Sequence, residues 1–531
     1  MFLLRSRMRK FEKGQIIKNI SSSWFSLGIN IVTGIFLSPF ILHHLGDTAF
    51  GVWVLIFSVT GYYGLFDLGI RSSVVRYVSK FTATNENEEL AKVVNTSLFS
   101  YSCIGLASMV VTLLLCLYVD HVFAKIPPEM LPTARWLLLM VGGSVALGFP
   151  LGIFGGFLEG LQRFYILNWT NVVATLLRTA LIVVVLNRGY GLLMVAFITI
   201  VLPMIASIVR AIIAFHLRPI PLGARYVDRA TFRRIVNYSS STFLIMVAGR
   251  LKFKTDEIVI GTMLSAAAVT YFNIGNRIVD YAGQVVTTLA QVFVPMSSQS
   301  EAKGDVNRLR KIFVVGNRVC AFIIFPICAT LIILGKSVIQ VWVGQKYVET
   351  SYPVLVIMII ACTLWWSQSA SGRVLFGMSK HGTWAKVTLI EGVSNLILSI
   401  LLVRPYGIIG DAFGTAIPLA CSTIFFMPRH VSKLLDIRLR TYLREAYVLP
   451  FLLTMPLVAT LLLLKKWFVP HNYRELGLQL LIGGAVYGAG LLWAYLTNKI
   501  LSTGELVIKK EPHPDGVSVL AGPDETYQGD G

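Results

Sequence analysis

Apolar residues arrive in blocks of about 20, again and again along the chain, and that length matches what an α-helix needs to cross roughly 30 Å of hydrocarbon. In lipid the backbone must satisfy its own hydrogen bonds, so such blocks fold as helices. Read between charged or Pro/Gly-bearing breaks, the blocks predict helices over 20–42, 50–71, 93–118, 132–158, 165–186, 191–216, 238–263, 270–295, 311–334, 352–378, 383–403, 406–428, 446–467 and 476–497. The expectation is an all-α polytopic membrane protein of about fourteen spans. Only 14% of the 531 residues are charged and 55% are hydrophobic, well below the charge of a soluble chain.

The net charge of +20 sits in short loops between the blocks, which reads as membrane topology and argues against a nucleic-acid partner. Alternate loops are basic: Arg71, Arg76, Lys80 and Lys92; Arg218, Arg225, Arg229, Arg233 and Arg234; Lys303, Arg308, Arg310 and Lys311; Arg429, Lys433, Arg438, Arg440 and Arg444. Lys465, Lys466 and Arg474 break the pattern. The positive-inside rule then places both termini in the cytoplasm. The basic N-terminus lacks a small-residue cleavage site, so no removable signal peptide is expected. The six cysteines, all within apolar blocks, show no metal or disulfide spacing and read as small buried hydrophobes.

Sliding the chain by 219 residues lays Leu45–Lys92 on Leu264–Lys311 without a gap, pairing Ala49 with Ala268 and Ser79 with Ser298. Near that offset, the segments beginning at Tyr190 (YGLLMVAFIT) and Tyr406 (YGIIGDAFGT) share five of ten positions. Two parallel six-helix lobes around a central cleft, plus two C-terminal helices, account for this. The expected divisions are a basic segment 1–19, an N-lobe 20–216, a linker 217–237, a C-lobe 238–430, helices in 431–500 and a disordered tail 501–531.

A charge at mid-bilayer costs about 2.5–3.5 kcal/mol on insertion scales, so buried charges ask for a reason. On the seventh block Arg250, Lys254 and Glu257 share a face, while Lys252 and Asp256 pair at i, i+4 on another. On the eighth, Asn273, Arg277, Asp280, Gln284, Thr287 and Gln291 form a polar stripe, read as the wall of a water-filled cleft. Arg178, Arg318 and Arg373 are further cations in apolar blocks, and Asp67, Glu159, Glu391 and Asp411 further acids. Each taken singly is more readily a packing feature than a functional one. Together the cations outnumber the acids, so the cleft is expected to take an anion, and arginine forks suit phosphate. No phosphate-binding loop, zinc motif or large extramembrane domain is present, so neither ATP drive nor an enzyme activity is expected.

The pattern LG…FG.W.L…Y..L.DLGI within Leu45–Lys80 resembles the opening of polysaccharide-transporter flippases of the Wzx type, as does Lys254–Ile278 (KTDEIVIGTMLSAAAVTYFNIGNRI). That family belongs to a superfamily with multidrug exporters and lipid II flippases. The resemblance implies fourteen helices in two lobes and movement of an undecaprenyl-pyrophosphate-linked oligosaccharide from the cytoplasmic to the periplasmic leaflet of a bacterial inner membrane. It further implies cavity cations at Arg250, Lys254 and Arg277, and recurrent acids at Asp67 and Asp256. Coupling to H+ or Na+ through Asp67, Asp256, Glu257 or Asp280 is expected, with no other cofactor. Membrane lipid, and a polysaccharide polymerase with other synthesis proteins, are the expected partners. A multidrug or cation exporter on the same scaffold, and a non-transport scaffold of a synthesis complex, are the alternatives.

Overall fold

A computed structural model describes residues 2–236, 246–247, 249–250, 254–378, 380, 382–500 and 502. No strand occurs among the described residues, and ten of the helices are long and apolar enough to cross a membrane. Fourteen were expected. Two of the ten, at 47 and 53 residues, would be about 70 Å or more if straight, over twice the hydrocarbon thickness. Both contain a glycine in a non-helical conformation: Gly46 (φ +79°) inside α1 (Phe2–Gly61) and Gly407 (φ +59°) late in the chain. A side chain is disfavoured at positive φ, which is why glycine stands at each break. Of the expected span 238–263, residues 238–245, 248 and 251–253 fall outside the described residues.

The second arm of α1 ends earlier than expected, at Gly61. A 3₁₀ stretch follows (Tyr62–Asp67), then positive φ at Leu68 and Gly69, then α2 (Ile70–Ala83). Next come α3 (Asn87–Leu117), α4 (Leu131–Gly160), α5 (Phe164–Asn187) and α6 (Leu192–Leu217), which pack mainly on one another and on α1. The short α7 (Asp256–Met263) carries two acids in its first turn, where the helix dipole favours negative charge. It leads to α8 (Ala266–Ala290), started by Ser265, whose hydroxyl accepts from the Ala268 N–H at 3.1 Å.

Then follow α9 (Val306–Val343), α10 (Val348–Trp366), α11 (Ser369–Gly377) and α12 (Gly382–Cys421), the last continued by a π-helical turn, Ser422–Phe426. The helices α13 (Leu449–Trp467) and α14 (Tyr473–Leu496) match the two expected C-terminal ones closely. The tail beyond Ile500, apart from Ser502, lies outside the described residues. Cysteines Cys103 and Cys421 are exposed on helix surfaces rather than buried, because an apolar helix facing lipid keeps its small apolar residues on the outside too.

Candidate functional site

A cavity of about 500 Å³ lies between the two arms of α1, α5, α6, the segment around Arg250–Glu257, and α8. Its wall carries Arg178, Arg250, Lys254 and Arg277 against Glu257 and Asp280, four cations to two acids. The formal surplus is therefore +2. Asn273, Gln284 and Tyr281 extend the polar wall on α8; Trp53 and Phe57 supply an apolar face on α1.

Each cation has a local reason for its place. Arg250 lies over two glycines: a Cβ at Gly64 would stand 3.0 Å from its guanidinium, and one at Gly61 3.7 Å away. Tyr62 donates to the Arg250 carbonyl at 3.4 Å and shares a 2.7 Å hydrogen bond with Thr255. Lys254 reaches Glu257 at 3.9 Å, leaving the other carboxylate oxygen of Glu257 buried without a hydrogen-bond partner. Arg277 donates to the Tyr281 hydroxyl at 3.3 Å, and that hydroxyl occupies the space a side chain at Gly34 would fill. Arg178 keeps a buried Nε with no hydrogen-bond partner. Four cations with so few internal partners leave donors for an incoming anion.

Other sequence candidates lie elsewhere. Arg318 is only 2% exposed and is consumed by structure: Nε donates to the Glu445 carbonyl at 2.6 Å, Nη2 to its carboxylate at 3.1 Å, and Nη1 to the carbonyls of Lys499, Ile500 and Ser502. It ties α9 to the segment that follows α14. We expect Arg318→Ala to cost about 1–3 kcal/mol by leaving buried acceptors without their donor, since Arg444 still reaches the other oxygen of Glu445 at 3.5 Å; the measurement is a lower unfolding midpoint in nanodiscs with anion binding to the cavity unchanged. Arg373 opens onto a separate pocket. Asp67 accepts from the Tyr101 hydroxyl, and Arg71 pairs with Glu159 at 2.7 Å. Gln291 is exposed beyond the end of α8. Lys252, the expected partner of Asp256, lies outside the described residues.

Asp256 is 2% exposed and faces α12 rather than the cavity. Its Oδ1 accepts from Thr415 at 2.9 Å, and Thr415 in turn accepts from Asn395 at 2.9 Å. Asp411 on the same helix is fully buried, with neither carboxylate oxygen hydrogen-bonded. Two carboxylates so placed require a proton or a cation to be neutral.

A contact that hydropathy does not signal joins α1 to α8 and to the turn before α10. At the α1 turn, Asp47 receives Tyr271 at 3.0 Å, Tyr347 at 2.5 Å and Lys346, while its carbonyl accepts from Thr270 at 2.7 Å. Trp342 donates to the Ile35 carbonyl at 2.6 Å nearby. Gly51 brings the backbones together: a Cβ there would be 1.7 Å from the Ala266 carbonyl oxygen. Both glycines of the LG…FG pattern thus have a structural role, Gly46 in the turn and Gly51 in the approach.

Residues 63–301 match the family described as polysaccharide biosynthesis protein. Among curated proteins, the chain is 21% identical over 416 residues to a putative O-antigen transporter of Shigella flexneri, covering 76% of this chain and 94% of that one. It is 23% identical over 192 residues to a probable low-salt glycan biosynthesis flippase of Haloferax volcanii, covering 36% and 40%. Among solved structures, the lipid II flippase MurJ in an inward closed conformation superposes with a TM-score of 0.68 at 17% identity, over 91% of this chain and 99% of that one. That likeness establishes the fold.

Proposed function

We propose that this chain, whose residues 63–301 match the polysaccharide biosynthesis protein family, is a flippase for a polyprenyl-pyrophosphate-linked oligosaccharide. The observation that carries the reading is the cavity with four cations and two acids. A pyrophosphate would sit among Arg178, Arg250, Lys254 and Arg277, where guanidinium forks and an ammonium replace its water. The polyprenyl tail would stay in lipid. The glycan named in the relatives' descriptions supports the sugar part of the cargo.

Access alternates, on this reading, between the two lobes, 20–216 and 238–430, across an inner membrane with both termini cytoplasmic. The Asp47 contact closes the periplasmic end, and its opening releases cargo there. The ion that drives the cycle binds or protonates at Asp256 and Asp411, whose buried carboxylates need neutralising. Asp256→Asn is expected to leave cargo binding intact while removing the response of transport to an imposed H+ or Na+ gradient, measured in proteoliposomes.

The reading is tested by reconstituting the chain in liposomes and following leaflet exchange of polyprenyl-pyrophosphate glycan extracted from the host. Exchange above protein-free vesicles, with no uptake of ethidium, is the expected result. Uptake of the cationic dye without glycan exchange would favour a multidrug exporter. No transport of either would favour a scaffold.

A further inference from the structure

The polar stripe of α8 does not end at the cavity. Gln284 lines the cavity, but Thr287, one turn further along, lines a second pocket of about 90 Å³ between α8, α10, α11 and α12. Two backbone irregularities border it. The helix breaks between Trp366 and Ser369, and α12 continues as the π-helical turn Ser422–Phe426. Such π turns are frequent at functional sites.

Gln368 sits in the helix break, 9% exposed. Its amide donates to the Thr423 carbonyl at 3.0 Å, leaving Oε1 buried with no partner. Arg373, one turn along α11, lines the pocket with no ion pair or hydrogen bond among the described residues. Trp365 and Trp384 also line it. An unfilled acceptor, a free guanidinium fork and indole faces together match the hydroxyls and C–H faces of a sugar ring, since each hydroxyl both donates and accepts. The titratable groups at the pocket, Arg373 and Glu391, cancel formally, unlike the cavity with its surplus of +2. A neutral, hydroxyl-rich group suits the pocket better than a second phosphate.

We propose that this pocket is a sugar subsite, taking one edge of a pyranose of the glycan while its pyrophosphate occupies the cavity. The inference rests on the flippase reading above, and deepens it by separating recognition of the sugar from recognition of the phosphate.

The test is photo-crosslinking of the full chain in its host, with p-benzoylphenylalanine replacing Trp384 in one variant and Phe57, at the cavity, in another. Peptide adducts are then fragmented and searched for sugar oxonium ions. Sugar-bearing adducts at both positions are expected. Adding Arg373→Ala or Gln368→Leu should lower the Trp384-position adduct about tenfold, the loss of roughly one hydrogen bond to a polar or charged partner, and leave the Phe57-position adduct unchanged. A sugar adduct at the Phe57 position with only acyl-chain or intramolecular adducts at the Trp384 position overturns the subsite and leaves the flippase reading standing. Sugar adducts at neither position overturn both.

Discussion

Arg277→Glu is expected to abolish glycan export while the chain still inserts and folds. The substitution changes the cavity from four cations and two acids to three and three, so its surplus falls from +2 to zero. A donor to the cargo becomes a repelling acceptor. Losing a charge-assisted contact alone is worth about 1.5–3 kcal/mol, and repulsion adds to that, so occupancy should fall more than about a hundredfold. Little internal structure is lost, because the native Arg277 side chain faces the cavity and, among the described residues, donates only to Tyr281. Arg250→Glu should behave alike. The measurement is lipid-linked oligosaccharide retained on the cytoplasmic side, with surface glycan absent and membrane abundance of the variant unchanged. Normal export in both variants would sink the cationic-cavity reading.

Gly51→Val should hold the Asp47 end of the cleft open and stop transport. A Cβ placed 1.7 Å from the Ala266 carbonyl oxygen must roughly double that spacing to reach van der Waals contact. The obstacle is backbone on both sides, so no rotamer change relieves it. The helices separate, and Asp47 then loses reach to Tyr271, Tyr347 and Lys346 together. Asp47→Ala should act in the same direction but more weakly, because the Asp47 carbonyl still accepts from Thr270. Hydrogen exchange of the backbone around 264–272 and 342–348 reports the opening, and should speed up more in Gly51→Val than in Asp47→Ala. Unchanged exchange in Gly51→Val would show that these helices are not held by that contact.

Much of this architecture was readable from residues alone, for reasons that are local. Spans such as 165–186 and 191–216 agree with α5 and α6 to within a residue or two, because length and hydropathy are properties of a single segment. The α8 stripe was equally legible: four of its six members line the cavity, since one face of one helix is set by the helical repeat. The α1 arms were separated correctly in sequence by the break before Gly51, though their joining glycine became visible only as a positive φ at Gly46. Where the second arm was expected to run on to Arg71, it stops at Gly61, because Gly61 and Gly64 make room for Arg250 from a segment nearly 190 residues away.

Nothing local in the sequence marks Asp47 as a contact between segments. It stands in a short polar turn like many others, and its partners come from α8 and from the turn before α10. Asp411 reads in the sequence as a buried acid; that it lies on the helix against which Asp256 packs follows from the contact of α7 with α12.

Residue order alone shows that this chain spans a membrane many times, that its basic loops alternate, and that it carries more cations than acids within its apolar helices. Which of those cations share a site depends on how the helices pack. Arg178, Arg250, Lys254 and Arg277 meet at one cavity, Arg318 is spent on Glu445 and the carbonyls just after α14, and Arg373 faces its own pocket. The periodicity of a helix fixes which residues share its face, but the neighbour that face meets is chosen by packing between segments far apart in the chain, and no local pattern encodes it.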